Sequence, residues 1–168
     1  WSVPGLSGSA SDLLLFTAAT LGDVTSGSWS MFFDGSDVGL GDGANTFYEN
    51  VDAGWLDAAT GDLYLATNGD FSAGGVTGDD EDIYLFTDTT LGETTTGSWS
   101  RYFDGSDMAL DTATGEDIDG FWVDPTSGTL YLSSNDFFTI GVGVAGDKND
   151  LYLCAPGSLG EATACTPG

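Results

Sequence analysis

From Gly97 to Asp104 the chain reads Gly-Ser-Trp-Ser-Arg-Tyr-Phe-Asp, in which bulky and small polar side chains alternate. A period of two marks a β-strand, whose successive side chains leave opposite faces. It predicts that Trp99, Arg101 and Phe103 share one face, and Ser98, Ser100, Tyr102 and Asp104 the other. From Ile118 to Asp124 the same period puts Ile118, Gly120 and Trp122 on one side and Phe121 with Val123 on the other. A strand that is apolar on both faces is covered on both, so these strands belong inside stacked sheets. Two more strands are predicted beside them, Asp82 to Thr87 and Thr129 to Ser133. The stretches 57–62 and 124–129 read as hairpin loops, with Pro125 presetting a turn and Gly61 or Gly128 supplying the positive φ. No helical period of useful length occurs, so helix content is expected to be close to none.

The pattern is written twice. Residues 12–40 match 82–110 at a constant offset, with 18 of 29 positions identical, including Asp12/Asp82, Phe16/Phe86, Trp29/Trp99 and the Asp-Gly-Ser-Asp runs ending at Asp37 and Asp107. After a loop of different length, the stretch from Glu49 pairs with that from Glu116. The earlier unit therefore has strands at Asp12 to Thr17, Gly27 to Asp34, Val51 to Asp57 and Asp62 to Ala66, and its segment 39–45 reads as a loop. "GDDEDIYLF", ending at Phe86, has a further copy in "GDKNDLYLC", ending at Cys154. The expectation is a single all-β domain over 1–168, with repeats at about 12–81 and 82–149 and a partial third at 150–168. Its two four-stranded antiparallel sheets pack face to face as a β-sandwich, with one extra terminal strand. That strand, Asp150 to Cys154, must pair with an edge of its own sheet or of a neighbour's, and Trp1 to Gly8, equivalent to 71–78, could also reach across to another subunit.

The order of elements, a strand, the "SGSW" strand, the "DIDGFWVDPTSGTLYL" hairpin and an acidic turn into "DIYLF", resembles the four-stranded blade repeats of β-propeller-like segments in secreted and cell-surface bacterial proteins. The resemblance spans nearly the whole chain and implies propeller-like blades as the alternative architecture. Two units are too few to close a ring, which favours the sandwich.

Charge narrows the partners. Against 27 acidic residues stand only Arg101 and Lys148, a formal net charge of -25. Such a surface repels phosphate backbones and anionic bilayers, which argues against nucleic-acid partners. No apolar run is long enough to insert in a membrane, and any signal peptide is expected to lie outside the mature chain. Ten Phe, six Tyr and five Trp argue for a folded globule despite the acidity. The lack of histidine removes the commonest general base and the Ser-His and Cys-His nucleophilic systems, so no enzyme is expected. Cys154 and Cys165 are close in sequence and too few for a zinc site, which favours a disulfide and a secreted or cell-surface location.

Repulsion among so many carboxylates makes bound Ca2+ a reasonable expectation. The candidate ligands are acids that recur or lie at strand ends: Asp34, Asp37, Glu49, Asp52, Asp82, Asp104, Asp107, Glu116 and Asp119. The competing role is purely local, because Asp also closes turns through its own side chain. Trp29, Trp55, Trp99 and Trp122 alternate with polar residues and read as core, while Trp1 and Trp122 would suit glycan stacking if exposed. The expected function is an extracellular structural subunit, stabilised by calcium, that assembles with itself head to tail into a helical filament or surface fibre through its terminal segments. The alternative is a calcium-dependent carbohydrate-binding or adhesion module.

Overall fold

The computed structural model describes residues 1–41, 49–111, 116–141 and 143–168; the loop expected at 39–45 lies outside them from 42 onward. The chain is all-β. After a short hairpin, β1 (Ser2–Val3) and β2 (Leu6–Ser7), come the long strands β3 (Leu13–Thr20) and β4 (Ser26–Phe33), which form a two-stranded sheet touched by one bridge from Phe33 to Gly92. The first four-stranded sheet contains β5 (Asn50–Leu56), β6 (Leu63–Asn68), β9 (Ile83–Thr90) and β10 (Thr96–Phe103) in that spatial order. A small hairpin, β7 (Phe71–Ala73) and β8 (Val76–Gly78), leaves it between β6 and β9. The second sheet repeats the plan with β11 (Ile118–Val123), β12 (Leu130–Ser134), β15 (Tyr152–Ser158) and β16 (Ala164–Pro167), and its small hairpin is β13 (Phe138–Ile140) with β14 (Val144–Gly146). Among the described residues helix is confined to single 3-10 turns at Ser36–Val38 and Ser106–Met108.

Each sheet therefore straddles the sequence repeat: the last two strands of one unit pair with the first two of the next. Alternation along β6 shows why. Leu63 and Leu65 point into a cluster with Phe33, Leu40, Phe71, Tyr84, Phe86 and Trp99, whereas Tyr64 and Ala66 point into one with Phe103, Leu110, Leu130, Leu132 and Tyr152. The first cluster lies between the β3–β4 hairpin and the first sheet, the second between the two sheets, where β11 crosses β5 and β6. The result is a sandwich of two sheets with a half-sheet on the outer face of the first. The layers form an open stack, and no barrel or propeller ring closes among the described residues.

Two expectations of side-chain direction are corrected by β-bulges. The register slips between Arg101 and Phe103, so Tyr102 and Phe103 both join the cluster between the sheets while Trp99 joins the other. A second slip, between Ile118 and Gly120, moves Ile118 to the side of Phe121 and Val123. A bulge adds one residue to one strand and so inverts the alternation beyond it. The terminal segments also find partners within the chain. Residues 1–8 close on themselves, the Trp1 ammonium donating to the Gly8 carbonyl at 3.2 Å, and β15 lies between β12 and β16.

The hairpin loops have the expected form: Asp57 Oδ1 and Asp124 Oδ1 each accept the N–H two residues on, and Gly61 and Gly128 have φ of 87° and 71°. Another repeated device is a ring laid over a glycine across a strand pair. A Cβ at Gly27 would collide with the Phe16 ring, and one at Gly97 with the Phe86 ring. An aromatic ring in that position shields a glycine that has no side chain of its own to pack. In the third copy the two places are taken by Cys154 and Cys165, which form a disulfide across β15 and β16 with their Cα atoms 5.1 Å apart.

The disulfide and the ring-over-glycine pair are thus two solutions to one contact. Cys154→Ala with Cys165→Ala is expected to cost about 2–4 kcal/mol. Cys154→Phe with Cys165→Gly is expected to recover most of that loss. Urea unfolding with and without reductant checks both, since only the wild-type midpoint should respond to reductant.

Candidate functional site

Most of the recurring acids lie at the contacts between layers. At the first junction the Asp-Gly-Ser-Asp loop of the hairpin layer closes over the β9–β10 turn of the first sheet. The Asp34 N–H donates to Thr95 Oγ1 at 2.9 Å, and the Thr95 N–H donates to Asp37 Oδ2 at 2.9 Å. Thr95 Oγ1 donates onward to the Gly92 carbonyl, and the Gly92 N–H reaches back to the Phe32 carbonyl, both at 2.9 Å. The second junction repeats this with Asp104, Asp107, Thr163, Gly160 and Tyr102 at 2.8–3.0 Å. Asp12 and Asp82 steady the two loops by accepting from the Gly35 and Gly105 N–H groups at 3.0 and 2.9 Å. Glu49 accepts from Gly41 and Ser72, and Glu116 from Thr139. These carboxylates satisfy backbone donors at the junctions, groups that cost free energy when buried without a partner.

The threonines of these contacts have a signal in the sequence, Leu-Gly-x-x-Thr, at 21–25, 91–95 and 159–163. It shows only when the turns are compared instead of the strands. Thr25 makes the same bond to the Gly22 carbonyl, 3.0 Å, but no described loop covers it.

The other two candidates, Asp52 and Asp119, belong to a different group. At the second junction the Ile118 N–H donates to the Asp80 carbonyl at 3.1 Å, which sets the 79–82 turn against the start of β11. Asp80, Glu81 and Asp117 gather there with the exposed Asp52 and Asp119 at its margin. Repeat symmetry fails at this point: the first junction has Ala10, Ser11 and Asn50 in those places, and there the Val51 N–H donates to the Ala10 carbonyl. Asp117 is only 5 % exposed; its Oδ2 accepts from Asn135 at 2.6 Å, and its Oδ1 is buried without a hydrogen-bond partner. Burial, and then the charges of Asp80, Asp52 and Asp119, push the Asp117 carboxyl up to about 7. Glu81 is pushed up to about 8 by burial, by its hydrogen bond with the Asp80 carboxyl, and by the charges of Asp82 and Asp80. Burial and the Asp119 charge likewise raise Asp52, against the effect of its bond with Asn68. Among the described residues no three acidic or cysteine side chains are gathered closely enough to hold a metal ion.

Arg101 sits beside this junction in place of the apolar Met31 of the earlier unit. It pairs with Asp104, approaches Asp82 at 3.5 Å and Glu161 at 3.8 Å, and donates to the Thr77 carbonyl. At the far edge of the two sheets, Trp55, Trp122, Leu56 and Pro125 line a groove of about 320 Å³. Trp122 is 45 % exposed and leans on Tyr131, as Trp55 does on Tyr64.

Comparison with protein-family models, curated proteins and solved structures finds no match for this chain. Among the described residues no helix is long and apolar enough to cross a membrane.

Two outcomes are expected. Thr163→Val leaves the Asp104 N–H without its acceptor and should cost about 1–3 kcal/mol, whereas Thr25→Val, in the uncovered turn, should cost less than about 1; denaturant unfolding compares them. Asp117 and Glu81 have folded-state values above their unfolded ones. The resulting cost is absent where both states are protonated, below about pH 4, and grows as pH rises until it is complete above about pH 8. The melting temperature should therefore fall from pH 5 to pH 8.5. Asp117→Asn, which installs the residue of the first junction, should recover about 1–3 kcal/mol at pH 8.5 and little at pH 4.

Proposed function

We propose that the chain is a non-enzymatic, extracellular structural subunit that associates with itself head to tail into a filament or surface fibre. The carrying observation is the β3–β4 hairpin, which is half of a four-stranded sheet. Its counterpart, β9–β10, pairs through β9 with β6 and is covered on both faces, while among the described residues β3 has no second strand and the outer face of the hairpin leaves Trp29 exposed. An unpaired edge beside an apolar face favours association with a like surface. The disulfide suits an oxidising compartment, and the engagement of the recurring acids with backbone donors suits a structural role. Calcium enters this reading as a counter-ion that offsets the self-repulsion of a chain of net charge -25.

The groove between Trp55 and Trp122 favours a second reading, a carbohydrate-binding or adhesion module in which the exposed indole stacks on a sugar. Electron microscopy in calcium and in chelator separates the two. Filaments, more abundant in calcium, are expected from the structural subunit. Dispersed particles in both conditions, together with a melting temperature that rises with added saccharide, would favour the glycan module.

A further inference from the structure

The structure assigns the two ends of the stack to each other: we infer that the outer face of the second sheet of one copy docks on the bare face of the β3–β4 hairpin of the next. This rests on the self-assembling reading above and names its surfaces.

Both internal junctions join the same two kinds of face. One kind carries Tyr84, Phe86 and Trp99 in the first sheet and turns toward the preceding layer; the other carries Tyr64 and Ile83 and turns toward the following one. On the hairpin, the places of Phe86 and Trp99 are held by Phe16 and Trp29, whose rings lie 4.7 Å apart. No layer among the described residues covers them, and Trp29 is 42 % exposed where Trp99 is 8 %. With Pro4 and Gly27 they line an open groove of about 680 Å³. In the first sheet, Trp99 is covered by the hairpin layer and donates its indole N–H to the Val38 carbonyl at 3.1 Å.

The opposite end presents the complementary kind of face. Tyr131 and Leu151 stand where Tyr64 and Ile83 stand one layer earlier, and Leu151 is 74 % exposed where Ile83 is fully buried. Trp122 and Leu153 extend this surface. Its charge also differs from that of the internal junction. In the 147–150 turn, which has the same Asp147–Asp150 closure as 79–82, Lys148 takes the place of Asp80 and Asn149 that of Glu81. The only lysine of a chain with net charge -25 thus lies at the end that must approach another acidic copy. The two faces are unlike, so the contact is heterologous and leaves one free face of each kind for the next copy.

Sedimentation velocity over a concentration series tests the inference with wild type, Leu151→Glu, Trp29→Glu and an equimolar mixture of the two variants; circular dichroism confirms folding, and Trp29→Ser replaces Trp29→Glu should that variant unfold. The expected result is concentration-dependent growth of wild type, at least about tenfold weaker association of each variant alone, and dimers but nothing larger in the mixture, where one intact face of each kind remains. Variants that assemble like wild type, or a mixture that stays monomeric, would overturn the assigned surfaces and leave self-assembly standing. A wild-type protein that is monomeric up to its solubility limit would overturn both.

Discussion

A strand that is apolar on both faces cannot be stable in a single layer, and the rest of this structure depends on that constraint. Strand β6 is buried on both sides, with Leu63 and Leu65 in one cluster and Tyr64 and Ala66 in the other, so the first sheet needs a neighbour in front and behind. Each neighbour must also be held in register, because sliding one layer over another would misalign the alternating large and small side chains. The Asp-Gly-Ser-Asp loops supply that register. They grip the following layer by directed hydrogen bonds to one turn, in nearly identical geometry at both junctions. Apolar burial brings the layers together, and these bonds fix where they stop.

The acidity takes on a structural meaning in this light. A carboxylate is a strong acceptor with two oxygens, well matched to the unpaired N–H groups that irregular loops bring to a junction. Asp12, Asp37, Asp82, Asp107, Glu49 and Glu116 are all used in this way. Glu81 and Asp117 differ, since burial and neighbouring carboxylates outweigh the bonds they receive. Similar composition thus yields fasteners where donors are supplied and a pH-sensitive weak point where they are not.

The all-β class, the duplication, the hairpin loops and the Cys154–Cys165 pair were legible because each rests on local chemistry: a two-residue period, Gly61 and Gly128 in turns, two cysteines close together. The bulges beside Tyr102 and Asp119 were not, since one additional residue in a strand leaves no compositional mark and shows only in the pairing register. Strand grouping was hidden for a related reason: a repeat has no privileged starting point, and pairing between β6 and β9 crosses the boundary that identity alone suggests. Recurrence led to the acids that the layer contacts use but gave no sign of that use, because the threonines they meet lie a layer away. Asp117, which breaks the symmetry at the second junction, carries no mark of recurrence, since Asn50 holds its place in the first unit.

The single disulfide lies at one end of the stack, and this gives the molecule a direction of failure. In a linear array each layer is stabilised by its neighbours, and a terminal layer has only one. Among the described layers the β3–β4 hairpin has a neighbour on one side only, is two-stranded and lacks a covalent tie, whereas the second sheet, also with one neighbour, is cross-linked through β15 and β16. Opening under heat or mechanical load is therefore expected to start at the hairpin layer, uncovering Phe86 and Trp99 as it begins.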